Sequence, residues 1–371
     1  MNIYEQIGLQ RVVNASGRMS ILGVSTIDDQ IALAMKNGGQ SYVVIDDLIK
    51  KAGEIISFYT NGEDSCPVNS ASAGISMSVA AIISKGKKSI IEQLPDSSGL
   101  ANEIILQKGH CINYGAPIET TIRLGGGVVK AVGTANLVAK EDIEEAISEK
   151  TAALMYVKSH HCVQKGMQPL QTMIEISQKY HLPLIVDAAS EEDLRKYIAL
   201  GANLVIYSGA KAIEGPTSGF VTGNKKLIEW VRLQSKGIGR SMKIGKESIM
   251  GLLEALKLYE KKDNDQSLNR QQETLDYLIE NINRFPGCKA SCIQDEAGRA
   301  IYRCQVIVDE IAAGKSALQI NRAFKQGEVA IYVRDYLVDH GIMVFDPRAL
   351  KSGDKELIVE RLQEILNVKP Y

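Results

Sequence analysis

The sequence contains no membrane-spanning stretch: no uninterrupted apolar run approaches the ~18 residues that a helix needs to cross hydrocarbon. It has no surplus of either charge. Lys and Arg number 43 against 44 Asp and Glu, a formal net charge of −1 over 371 residues, whereas a protein built to grip tRNA or duplex usually carries a basic excess. No C-x-x-C pair occurs, and the six cysteines (Cys66, Cys111, Cys162, Cys288, Cys292 and Cys304) lack a partner pair at zinc-ligand spacing. Free thiols are therefore expected, and a metal centre is not. The opening Met1-Asn2-Ile3-Tyr4-Glu5-Gln6 has neither the basic start nor the apolar centre of a secretory leader, so a cytoplasmic protein is the expectation. No G-x-G-x-x-G follows a strand-like run, which counts against a nicotinamide enzyme. The Gly125-Gly126-Gly127 cluster precedes a strand instead and reads as the turn leaving a helix. Internal repeats and low-complexity tracts are also missing.

What is there is an ordinary globular composition with room for about two domains. Short β-branched and aliphatic runs stand at Glu103–Gln107, Val128–Val132, Ala152–Val157, Leu184–Asp187, Leu204–Tyr207 and Phe220–Thr222. Stretches with helical spacing lie between them, such as Leu170, Met173, Ile174 and Ile176. Alternation of this kind predicts an α/β fold: a mostly parallel central sheet with helices on both faces. Apolar residues at 249, 252, 253, 256 and 259 predict an amphipathic helix over Lys246–Lys262. The polar run Lys261-Lys262-Asp263-Asn264-Asp265 then breaks the pattern. The expected organisation is an N-terminal segment over residues 1–49, packing with the small domain or a partner subunit, a large domain over 50–262, and a smaller α+β C-terminal domain over 263–371.

Two buried-type strands end in polar residues, where an open parallel sheet binds its ligand. Leu184-Ile185-Val186-Asp187 ends in a carboxylate, and Leu204-Val205-Ile206-Tyr207 runs into Ser208-Gly209-Ala210-Lys211. A lysine just past a buried strand can be desolvated, which lowers its amine pKa and makes a Schiff base possible. An aspartate on the neighbouring strand suits the protonated ring nitrogen of pyridoxal phosphate and strengthens its electron sink. A phosphate cradle is supplied by Asn69-Ser70-Ala71-Ser72-Ala73-Gly74, small residues opening the apolar helical stretch Ile75–Ser84. His110, His160 and His161, three of the five histidines, lie just beyond strand ends.

Asp187-Ala188-Ala189, Ser208-Gly209-Ala210-Lys211 and the Ser72-Ala73-Gly74 helix start together resemble the fold-type-I pyridoxal-phosphate enzymes. More narrowly they resemble the family related to selenocysteine synthase, the L-seryl-tRNA selenium transferase. The likeness runs from Val13-Asn14-Ala15-Ser16-Gly17 to the helix ending near Tyr259. Within that family, Ser159-His160-His161-Cys162-Val163-Gln164-Lys165, the stretch from Ile206 to Gly219, and Gly237-Ile238-Gly239-Arg240-Ser241-Met242-Lys243 look most like an ammonia-lyase of phosphorylated 2-amino sugar acids.

The resemblance implies pyridoxal 5'-phosphate held covalently on Lys211, which would also be the base that takes the C2 proton. Asp187 would pair with the ring nitrogen, Ala189 would pack on one ring face and His110 would stack on the other. Ser72, Ala73, Gly74 and Ser208 would hold the phosphate. Elimination of water and then ammonia would follow, giving a 2-keto-3-deoxy sugar acid phosphate. Hydroxide leaves poorly, so a proton donor near C3 is required; Lys211, His160 and His161 all qualify. Arg240, Lys243, Lys246 and Arg18 are the candidate cations for a substrate carrying carboxylate and phosphate. Partners are expected to be that small molecule and a second copy of the chain, without membrane or nucleic acid. The alternatives are a selenium transferase on aminoacyl-tRNA, a lyase or racemase of another amino acid, and a catalytically silent scaffold.

Overall fold

Runs that are apolar on every residue can be satisfied only between two covering layers, and here they form the middle of one sheet. The computed structural model describes residues 2–159, 161–262, 264–295 and 301–367. Among them the strands are β1 (Arg11–Ala15), β2 (Asp64–Val68), β3 (Glu103–Gln107), β4 (Val128–Val132), β5 (Thr151–Val157), β6 (Leu184–Asp187), β7 (Leu204–Ser208), β8 (Gly219–Gly223), β9 (Cys288–Gln294), β10 (Tyr302–Val308), β11 (Val329–Val333) and β12 (Ile342–Phe345). Two compact units result, one spanning Thr26–Lys261 and the other combining Met1–Ser25 with Lys262–Tyr371.

The larger unit holds the seven-stranded sheet, in the order β2-β8-β7-β6-β5-β3-β4. Pairing is parallel from β4 through to β7, and β8 runs antiparallel to both β7 and β2. Leu154, Val186 and Val205 pack on one face, and Met155, Ile185 and Ile206 on the other, each in a separate apolar cluster. β2 carries no strand signature because of Pro67, which lacks a ladder donor. It is tolerated because β2 lies at the sheet edge and pairs with β8 alone.

Three helices precede or follow β2: α1 (Asp29–Gly39), α2 (Ile45–Thr60) and α3 (Ala71–Ser84). Asp28 caps α1 by accepting the Gln30 N–H at 2.8 Å. The division of the chain differs from the sequence expectation on one point. Residues 26–49 do not form a separate segment, because α1 packs on the helix Lys246–Glu260 of the large unit. The fit is close: a Cβ added at Gly38 would lie 2.7 Å from Met250 Cγ, and one at Gly251 2.6 Å from Met35 Cγ.

The second unit pairs β1 in parallel with β11, from Arg11 opposite Val329 to Ala15 opposite Val333. Beside them stands the antiparallel sheet β12-β10-β9. Its core gathers Val13, Leu278, Phe324, Phe345, Ile358 and Leu362. Within it, Arg303 donates to Asp295 and to Asp346, each at 2.9 Å, and Arg348 donates to Asp346 at 2.7 and 2.9 Å. Burial alone raises the Asp346 carboxyl, but the two arginines outweigh it and bring it down to about 2. A depressed folded-state pKa stabilises above the unfolded value and is lost as pH falls through the folded one. The Asp346 contribution is therefore complete above pH ~4 and drains away toward pH 2. Arg303→Met, which leaves buried carboxylates under-compensated, is expected to cost about 3–5 kcal/mol at neutral pH. Urea melts down the acid range check this, the deficit shrinking as the carboxylates take up protons.

Candidate active site

Asp187 is the last residue of β6 and is buried. Its Oδ1 accepts the Ala189 N–H at 3.1 Å. Burial pushes the carboxyl upward, while the Lys211 charge and the Ala189 N–H pull it back down. An ionised group in so dry a place needs a cationic partner. Lys211 follows β7 in a turn that the backbone closes on itself: Gly215 N–H reaches Gly209 O at 2.8 Å and Glu214 N–H reaches Lys211 O at 3.2 Å. Glu214 holds this turn at φ 58, left-handed for a residue with a side chain. Ser208, half-buried, donates its N–H to Ala189 O at 3.3 Å, tying the ends of β6 and β7 together. Ala189 itself is half-buried.

The start of α3 is brought to the same end of the sheet by a glycine. Gly219 pairs with Ser208, and a Cβ added there would lie 2.9 Å from Ala71 N, 2.9 Å from Ser70 C and 2.8 Å from Tyr207 O. Only a residue without a side chain admits that approach. Ser70 caps α3, its Oγ accepting the Ala73 N–H at 3.1 Å and its carbonyl the Gly74 N–H at 2.9 Å. The N–H groups of Ala71 and Ser72 then remain at the open end of a helix whose dipole favours an anion. The sequence expectation is revised here. Ala73 spends its N–H on the cap, and buried Gly74 faces the sheet, where a Cβ would meet Ile206 Cγ2 at 3.0 Å and Val221 Cγ2 at 3.2 Å. Ser72 Oγ lies 3.3 Å from Tyr114 Oη, which is 2.7 Å from Thr121 Oγ1.

His110 ends the short turn Lys108–His110 after β3 and is wholly buried. Its Nδ1 accepts the Val157 N–H at 3.3 Å, which assigns the proton to Nε2, and that buried Nε2 has no partner. The ring meets Tyr156 edge-on, centroids 4.7 Å apart. Burial first, then the Lys158 charge, pushes the imidazole down to about 4, so it is neutral at pH 7. Its faces are enclosed in this structure, unlike the open stacking face expected from the sequence.

The remaining candidates are more scattered. His161 is exposed, its N–H donating to Ser159 Oγ at 3.2 Å, and His160 lies outside the described residues. Arg240 ends the turn Ile238–Arg240 and is exposed, as is Lys243. That segment approaches α3, since a Cβ at Gly239 would lie 3.1 Å from Met77 Cε. Lys246 is engaged elsewhere: its ammonium donates to Ser41 O and lies 5.4 Å from the centre of the Tyr42 ring. Arg18 belongs to the second unit, half-buried beyond β1. Sequence reasoning passed over Lys158, which follows β5 and gives its N–H to Asp187 O at 2.8 Å. The signal was present, because the rule that singled out Asp187 (a polar residue ending a buried strand) applies to Lys158 as well. Among the described residues no three His, Cys, Asp or Glu could hold a metal ion, and no helix is long and apolar enough to cross a membrane.

A buried carboxylate seeking a cation, a lysine charge beside it and a glycine-admitted helix start fit pyridoxal phosphate. The fold and this set of residues define a fold-type-I pyridoxal-phosphate-dependent enzyme. The aspartate aminotransferase of Thermus thermophilus shares the fold alone, at TM-score 0.54 and 15% identity over 97% of this chain and 93% of that one. The chain belongs to the L-seryl-tRNA selenium transferase family, which it matches over residues 36–319. It is 47% identical over 364 residues to the D-glucosaminate-6-phosphate ammonia lyase of Salmonella typhimurium, covering 98% of each chain. A solved D-glucosaminate-6-phosphate ammonia-lyase structure superposes at TM-score 0.93, again at 47% identity, over 99% of this chain and 98% of that one. A 5'-C-glycyluridine monooxygenase-decarboxylase from a Streptomyces species is 39% identical over 98% of this chain and 92% of that protein.

Proposed function

We propose that this protein is a pyridoxal-phosphate-dependent ammonia-lyase that converts D-glucosaminate 6-phosphate to 2-keto-3-deoxygluconate 6-phosphate and ammonia. The observation that carries this reading is the 47% identity maintained across 98% of both chains, together with the near-superposition of the folds. Bound pyridoxal phosphate supplies an electron sink for the pair left when the C2 proton departs. Lys211 would hold the cofactor, and its amine would take that proton. Asp187 would pair with the ring nitrogen. Ala189 would flank the ring, and Ser208 with the N–H groups of Ala71 and Ser72 would receive the phosphate. His110 takes part as a neutral hydrogen-bond donor through Nε2. The reading also carries a cytoplasmic location and a homo-oligomeric assembly.

The test is a panel of phosphorylated and unphosphorylated 2-amino acids assayed for ammonia and keto acid. Release of both from D-glucosaminate 6-phosphate, and much slower release from the unphosphorylated acid, is the expected result. Protein that binds charged tRNA at moderate salt but leaves the amino sugar acid untouched would instead be a selenium transferase. Protein that stays colourless with added cofactor would be a scaffold. The helix start offers a separate check: Gly219→Val is expected to weaken cofactor binding at least ~10-fold in an absorbance titration, because the new side chain displaces Ala71.

A further inference from the structure

Loss of hydroxide from C3 requires a proton, and of the two histidines that the sequence offered for it His160 lies outside the described residues. His110 is neutral at working pH and enclosed, and His161 is exposed. We propose that Lys158 is the general acid that protonates the oxygen leaving C3. The proposal deepens the ammonia-lyase reading and rests on it.

The Lys158 backbone is fixed beside the strand that ends in Asp187. Its N–H bonds Asp187 O at 2.8 Å, and the residue before it, Val157, stands opposite Asp187 and bonds His110 Nδ1 at 3.3 Å. Lys158 therefore follows a strand that lies between β3, beyond which stands the buried His110 imidazole, and β6, which ends in the Asp187 carboxylate. The side chain is half-buried, and no carboxylate among the described residues lies within ion-pair distance of its ammonium. Its charge is felt at His110 and at Cys162, the two groups that flank the end of β5. An ammonium without a carboxylate beside it gains from an oxygen acceptor, and gains most when that oxygen is developing negative charge.

The step balances without a further reagent. Lys211 takes the C2 proton, a C2=C3 double bond forms, and the C3–O bond breaks with its electron pair on oxygen. The Lys158 ammonium delivers one proton to that oxygen, and water leaves. The neutral Lys158 amine is reprotonated from solvent. The freed 2-amino-2-enoate tautomerises and loses ammonia to water, giving the keto acid.

Lys158→Met and Lys158→Arg separate this role from others. General acid catalysis is worth about 10²–10⁴-fold, so ammonia release from D-glucosaminate 6-phosphate is expected to fall by that factor in Lys158→Met. Exchange of the C2 hydrogen with deuterated solvent, followed by NMR, is expected to stay within a few-fold of wild type, since proton removal precedes the step that is lost. Cofactor affinity in an absorbance titration is expected to be unchanged. Lys158→Arg is expected not to restore release, because a guanidinium keeps the charge but holds its proton too tightly. Exchange and release falling together, cofactor affinity falling in step with release, or rescue by arginine would each overturn the assignment, as would near-normal release in Lys158→Met. Wild-type protein inert toward D-glucosaminate 6-phosphate would overturn the substrate reading, and this assignment with it.

Discussion

Lys211→Ala is expected to abolish turnover, by more than ~10⁴-fold, because on the proposed reading one change removes both the cofactor's covalent anchor and the C2 base. Wild-type protein treated with borohydride should carry a pyridoxyl label on the peptide containing Lys211, and the variant should carry none. The fold should survive. Lys211 stands in a half-buried turn whose closing bonds, Gly215 N–H to Gly209 O and Glu214 N–H to Lys211 O, use backbone atoms only. Circular dichroism and the melting temperature of the apoprotein check that point. A label on another lysine, or an unimpaired variant, would remove the basis for the whole site.

Asp187→Ala is the second large effect, with an expected loss of kcat of about 10²–10⁴-fold, measured as ammonia release at saturating cofactor. On the proposed reading, the ring nitrogen would lose its proton at neutral pH without the carboxylate, and the electron sink would weaken. The same substitution carries a stability signature that an ordinary core mutation lacks. Burial raises the Asp187 carboxyl, so a buried polar group with an unfavourable ionisation is kept there in the apoprotein. Removing the carboxyl is therefore expected to leave the melting temperature of the apoprotein unchanged or higher, while activity collapses. A variant that melts lower and still turns over normally would make Asp187 a structural group.

The strands that carry the candidate site were legible because buried parallel strands announce themselves. Leu184–Asp187 and Leu204–Ser208 are apolar until their last residue, and the proposed site residues stand where the pattern stops. The rest failed for identifiable reasons. Pro67 disguised β2, since an edge position is a property of the assembled sheet and leaves no local trace. Gly74 reads as a phosphate-loop glycine in the sequence, yet its missing side chain serves the packing of α3 on Ile206 and Val221. His110 offers a planar ring at a strand end, but only the fold shows that Val157 and Tyr156 enclose it. Assignment of residues 26–49 turned on whether α1 meets the helix Lys246–Glu260, a contact between segments far apart in the chain.

The pairing of β1 with β11 joins two strands that most of the given chain separates, Arg11 standing opposite Val329. Arg11–Ala15 must wait, unpaired, until Val329–Val333 has emerged from the ribosome. In that interval Thr26–Lys261 is complete and can collapse on its own sheet. Contacts that span most of a chain are slow to close. The late step in maturation is thus the pairing of Arg11–Ala15 with Val329–Val333, after Thr26–Lys261 has formed its own sheet.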